Sequence, residues 1–263
     1  MSVRSAVCLV ALCAGTISAD PGSDLVIPPS CHVSPTNSRA PGGAGFTVVS
    51  ERDGMELVFV PGGEFLYGED CRPTEEPAFF IDRHEVTNAQ FAVFVRETGY
   101  AARHWKMASG REEYPAVSVS YGDAAAYAAW AGRAIPTDGQ WEKAARGTDG
   151  REYPWGNEWV DANAVTPEGG HDDAMPVGSA PGGASPYGAL DMVGNVWEWT
   201  SSPDDTGWLA LRGGAWDARK GKRRSNCTYR SKFPPVRSDR KLGFRCVYVL
   251  SPAANPGLDR ASN

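Results

Sequence analysis

Between Asp191 and Trp199 the sequence reads Asp-Met-Val-Gly-Asn-Val-Trp-Glu-Trp, two carboxylates separated by a glycine turn and set among large apolar residues. Calcium takes about six to eight hard oxygens, drawn from carboxylates and from the carbonyls of a tightly turning chain. The stretch is therefore a candidate cation site. A plainer reading keeps Trp197 and Trp199 as core and leaves Glu198 to cap a turn. A second concentration of chemistry is basic. From Arg219 to Arg245 eleven lysines and arginines accompany one acid, Asp239, and Trp216, Tyr229, Phe233 and Phe244 lie beside or among them. Arginine forks match carboxylate and phosphate, so Arg212, Trp216, Arg219, Arg223 and Arg224 are candidate contacts to an anionic small molecule, a peptide or an envelope protein. Alternatively these cations pair with the acids of their own domain.

Other reactive residue types are less informative. His32, His84, His104 and His171 show no metal-ligand spacing. Asp217 is the one acid or base candidate near the basic segment, and it reads equally as a turn residue. The six cysteines divide by position. Cys8 and Cys13 lie in Met1–Ala19, where Arg4, an apolar run and a small residue before Asp20 have the order of a secretory signal. Its removal leaves Cys31, Cys71, Cys227 and Cys246, which in an oxidising compartment are expected to form disulfides of open connectivity. The protein is thus expected to be periplasmic or secreted. No later stretch approaches the ~18 apolar residues of a membrane helix.

The elements that must position these residues are short. In 263 residues the chain carries 30 glycines, 20 prolines and 9 tryptophans, punctuation that excludes a helical bundle. The net charge of -6 argues against nucleic acid as a partner. Residues 20–45, rich in proline, glycine and serine, read as an extended arm. Strands are expected at Phe46–Val49 and Glu56–Val60. Helices are expected from an N-cap at Thr87, over Tyr121–Ala131, and after Thr137, where Thr137-Asp-Gly-Gln140 has capping-box spacing. Beyond Gly147 the helical period disappears, which leaves loops with a few strands as far as Leu250.

Eight phrases occur in a fixed order: Val60-Pro-Gly-Gly-Glu-Phe65, Glu85-Val-Thr-Asn-Ala-Gln-Phe91, Pro115-Ala-Val-Ser-Val119, Ile135-Pro-Thr137 with Trp141-Glu142, Tyr153-Pro-Trp-Gly-Asn157, Gly188 to Trp199, Arg212-Gly-Gly-Ala-Trp216 and Leu242-Gly-Phe-Arg-Cys246. In these the chain closely resembles the formylglycine-generating enzyme, or sulfatase-modifying factor, family over residues 46–250, with 251–263 left as a tail. The resemblance implies an α+β fold related to the C-type-lectin-like group, poor in regular structure, with long loops held partly by calcium.

Carried across residue by residue, the resemblance implies calcium ligands at Asp191, Gly194, Val196 and Glu198, the middle two through their carbonyls, and a second calcium at Asn163, Ala164 and Asp172 or Asp173. It also implies an absence. The oxidising members hold copper on two cysteines, and the matching positions here are Ala218 and Arg223. Neither side chain is a soft ligand for copper(I), so no copper is expected. Cys227 and Cys246 likewise lack the partner cysteines of some relatives, with Ala145 and the alanine-rich helix at Ala128 in their place. The resulting expectation is an exported binding or regulatory protein of a bacterial envelope system. The alternatives are a periplasmic oxidoreductase of the siderophore-chromophore type that does not use the cysteine pair and, last, a true formylglycine-generating oxidase.

Overall fold

Apolar residues alternate or run continuously in Thr47–Ser50 (β4), Glu56–Val60 (β5) and Phe79–Asp82 (β8), and these form the middle of an antiparallel sheet. The computed structural model describes residues 16–18, 24–36, 45–217 and 225–250. Cys31–Val33 (β3) and Val247–Val249 (β13) close the sheet on its two edges, in the order β13-β8-β5-β4-β3. All four residues of β8 are buried, as a strand covered on both faces must be.

Part of the stretch expected as an arm is structured. Thr16–Ser18 (β1) pairs with Asp24–Val26 (β2), and β3 joins the sheet, because Leu25 and Ile27 bury in the core among the prolines and serines that mask them in the sequence. The rest of residues 1–23, most of the expected signal, and the tail 251–263 lie outside the described residues.

Three helices form where the local signals placed them. Asn88–Thr98 (α1) and Asp138–Arg146 (α3) each begin with the reciprocal threonine and glutamine bonds of a capping box, at Thr87/Gln90 and Thr137/Gln140. Tyr121–Trp130 (α2) does the same with Ser120 and Asp123. The inner faces of α1 and α2 stack Phe91, Phe94 and Tyr127 against Phe244 beneath the large sheet.

Beyond Gly147 the chain is mostly loop, but it builds a second sheet in the order β11-β10-β9-β12. Its strands are Trp197–Pro203 (β9), Leu209–Arg212 (β10), Ser231–Phe233 (β11) and Leu242–Gly243 (β12), with β12 parallel to β9. A hairpin of Gly63–Tyr67 (β6) and Arg72–Glu76 (β7) leans on α3. This is the α+β, loop-rich architecture expected. Among the described residues no helix is long and apolar enough to cross a membrane.

Cys31, Cys71, Cys227 and Cys246 stand as free thiols in the structure, with none of the expected disulfides among them formed. Cys227 is enclosed by the cluster of Trp141, Ala144 and Ala145, where an alanine occupies the place of a partner, and Cys246 lies in the other core. Cys71 is exposed at the β6–β7 turn.

Candidate functional site

Among the described residues, the cations in and beside the basic segment resolve largely into pairs. Arg212 is fully buried: its Nε meets Asp138, one terminal nitrogen donates to Glu142 at 2.8 Å and the other to the Cys227 carbonyl at 2.9 Å. Arg212 therefore ties β10 to α3 and is not the ligand contact expected. Trp216 is also unavailable, since its ring packs with Val165 and Val196 under the Arg240 guanidinium, 4.9 Å from the ring centre. Asp217, the acid or base candidate, is held by Lys241 at 2.7 Å. Arg219, Arg223 and Arg224 lie outside the described residues. The plainer reading, in which these cations serve the domain's own acids, is the one realised by Arg230, Lys232, Lys241 and Arg245.

Two of those pairs nevertheless frame an open cleft of about 850 Å³ between the β6–β7 hairpin, the start of α3 and the β9-β10-β11 sheet. Asp138 lies on its floor, accepting from the Tyr67 hydroxyl at 2.5 Å and paired with Arg230 at 3.1 Å. Burial alone would push this carboxyl up. Arg212, Tyr67 and Arg230 outweigh that and hold it below the usual aspartate range. Burial pushes Glu76, on the wall, up against the opposing charge of Lys143. Arg230 lies 5.1 Å over the Tyr67 ring and Lys232 5.7 Å over Trp208, and both cations are about half exposed. A cation seated on an aromatic face keeps its charge available to an incoming anion. Among the described residues no cysteine lines the cleft.

The turn read as a cation site is a second polar centre, in the interior. Asp191, Gly194 and Asn195 have φ of 56°, 87° and 55°, so the chain reverses tightly here. Gly194 has no alternative, because a Cβ would come within 2.6 Å of the Val165 carbonyl. Glu198 is fully buried, accepting from Arg245 Nε at 2.7 Å, from a second Arg245 nitrogen at 2.8 Å and from Trp141 Nε1 at 2.7 Å. Asp191 accepts from the Gly178 amide at 2.6 Å. Beside them lies Glu85, fully buried, with neither side-chain oxygen hydrogen-bonded. Burial, then the charges of Asp191 and Glu198, push its carboxyl well above the ordinary range.

These groups fit calcium in kind. They are hard oxygens on a turning chain with excess negative charge and an orphaned buried carboxyl. They differ from the expected ligand set in that Glu198 is already spent on Arg245 and Trp141. Among the described residues no three His, Cys, Asp or Glu side chains converge on one metal-sized point, so backbone carbonyls and water would have to complete any coordination. The second expected site is less assembled. Asn163 and Ala164 end a 3-10 turn packed on Pro181–Gly183, Asp172 is exposed, and Asp173 is paired with Arg111.

Sequence reasoning missed Glu85, Tyr67 and Asp138, and it reached Arg230 and Lys232 only as members of the basic segment. Only Glu85 leaves a trace, as an acid between the apolar run of β8 and the buried Val86. The cleft residues come from segments far apart in the chain.

Comparison with known proteins agrees with this architecture. The sulfatase-modifying factor enzyme 1-like domain matches residues 46–250. The chain is 34% identical over 273 residues to the inactive C-alpha-formylglycine-generating enzyme 2 of Mus musculus, covering 77% of this chain and 88% of that protein. It is 33% identical to the formylglycine-generating enzyme of Mycobacterium tuberculosis, over 56% of this chain and 74% of the relative. The structure of PvdO from Pseudomonas aeruginosa superposes with a TM-score of 0.66 at 23% identity, covering 79% of this chain and 99% of that one, a likeness of fold. With its domain matched from Phe46 to Leu250, the chain belongs to the sulfatase-modifying factor, or formylglycine-generating enzyme, family.

Proposed function

We propose that this chain is a member of the family that binds and does not oxidise. It is exported on removal of residues 1–19 and serves as an accessory protein of a bacterial envelope system. The observation that carries the reading is the pair Ala218 and Arg223, where copper-binding relatives have cysteines. A 34% identical relative is itself named inactive, which supports it. An oxidoreductase working without those thiols would need another acid or base, and Asp217 is engaged by Lys241.

The cleft between Tyr67 and Lys232 supports an anionic ligand or an acidic peptide. A carboxylate or phosphate entering there meets Arg230 and Lys232, exchanging partly solvated ion pairs for ligand contacts. Calcium, when bound at the Asp191 turn, would neutralise buried carboxylates and so stabilise the loops.

The chain from Asp20 onward, given copper(I), oxygen and a cysteine-bearing sulfatase-motif peptide, is expected to leave the peptide unchanged by mass spectrometry. Conversion of the cysteine to an aldehyde would overturn the reading. Titration with an acidic peptide is expected to alter tryptophan fluorescence through Trp208, and the Arg230→Glu/Lys232→Glu double variant is expected to lose the response. A wild-type protein indifferent to the acidic peptide removes this ligand class.

A further inference from the structure

Arg245 has no donor to spare. Its Nε and one terminal nitrogen hold Glu198, that same terminal nitrogen also donates to the Leu190 carbonyl, and the other donates to the carbonyls of Asp82 and Arg83. All five N–H groups of the guanidinium are thereby used. The nearest histidine, His84, directs Nδ1 at the Glu85 backbone carbonyl and not at its carboxyl. Glu85 is thus a fully buried carboxyl with no protein donor on either oxygen.

What Glu85 does face is more negative charge. Its carboxyl lies close to that of Asp191 without a hydrogen bond between them, and the field of Glu198 reaches both. As carboxylates, neither partner of the Glu85 and Asp191 contact can donate. Three buried carboxyl groups share one arginine, which leaves two negative charges unbalanced. A single shared proton would cancel one of them and would still leave an oxygen of Glu85 unpaired. One divalent cation cancels both, and its preference for several oxygens matches carboxylates set beside a turn with left-handed positions at Asp191, Gly194 and Asn195.

We propose that Glu85, together with Asp191, directly ligates the calcium expected at the Asp191–Glu198 turn, while Glu198 stays with Arg245 as the support that fixes the turn. The inference rests on the calcium part of the proposed function and adds a ligand from the far side of the core, the segment that joins β8 to α1. A cation there would clamp the large sheet to the loop leading into β9.

The test is calcium binding itself. The chain from Asp20 onward, stripped with chelator, is titrated with calcium chloride and followed by calorimetry, thermal unfolding and metal content. The wild type is expected to bind one calcium at this centre and to unfold at a higher temperature with it. Glu85→Gln is expected to bind roughly tenfold or more weakly and, without calcium, to unfold at a higher temperature than the calcium-free wild type, because an uncompensated charge has gone. Glu85→Asp, which keeps the charge on a shorter arm, is expected to fold and to lose affinity as well, and it decides the matter if the glutamine variant fails to fold. Wild-type affinity in either variant overturns the role of Glu85 while leaving calcium in place. A wild type that binds no calcium overturns both, and an infrared band of a protonated carboxyl, lost in Glu85→Gln, would then identify a proton as the occupant.

Discussion

Arg212 shows how little the type of a residue says about its task. It sits in the Arg-Gly-Gly phrase ahead of the basic segment, yet it is buried between Asp138 and Glu142 and joins β10 to α3. Replacing it with methionine would remove the buried cation that joins the two carboxylates, leaving Asp138 to Arg230 and Glu142 to Arg146, and breaking a buried pair from one side typically costs roughly 3–5 kcal/mol. Arg212→Met is therefore expected to lose stability of that order in urea unfolding. Mutation of Asp217, in a part-exposed pair, is expected to cost about 1 kcal/mol or less. Asp138 also predicts a pH dependence. Its folded carboxyl titrates below the ordinary aspartate range, so the folded state binds the proton less readily than the unfolded chain does. The stability this supplies is complete above the unfolded aspartate value and is lost as pH falls through the folded one. Asp138→Asn is accordingly expected to lower stability at neutral pH and to flatten the acid limb of the stability curve, which unfolding measured between neutral and acidic pH will show.

At the scale of elements, the helices were legible and the second sheet was not. A capping box lies within four residues, so Thr87, Ser120 and Thr137 mark α1, α2 and α3 by local chemistry alone. Substituting each by alanine is expected to cost about 1 kcal/mol. The costs of Thr87→Ala and Thr137→Ala should add, since the two caps share no partner; a triple variant as stable as the wild type in chemical unfolding would refute the assignment. The sheet β11-β10-β9-β12 rests instead on pairings between segments up to about 45 residues apart, such as Leu242 beside Trp197. Nothing in Trp197-Glu-Trp199 distinguishes a strand from the turn that precedes it. The calcium turn was legible through its glycine and paired carboxylates, whereas Glu85 was invisible because its importance comes from what it fails to touch. Pro and Ser around Leu25 and Ile27 concealed β2 and β3 in the same way, by local composition that the tertiary fold overrides.

Across the whole molecule the thiols form a graded series that bears on chemistry. Cys71 is exposed, Cys31 is partly covered with burial pushing its thiol up to about 11, and Cys227 and Cys246 are fully buried with their thiols pushed well up, mainly by loss of solvent. A thiol reacts as its thiolate, so reactivity must follow both exposure and this order. Cys227 is the cysteine closest in sequence to the positions vacated by Ala218 and Arg223, and a family-like redox role could fall to no other described residue of that segment. Its environment opposes that role: Trp141, Ala144 and Ala145 surround it, its own carbonyl is bound by Arg212, and burial pushes its thiol far up. Treating the native chain from Asp20 onward with a chromogenic disulfide is expected to release one rapid equivalent, absent in Cys71→Ser. A slow one should follow from Cys31, and the remaining two should react only after unfolding. Cys227 reacting as fast as Cys71 in the native protein would show that the interior around Trp141 opens readily, and would return thiol chemistry to a fold whose copper-binding positions hold alanine and arginine.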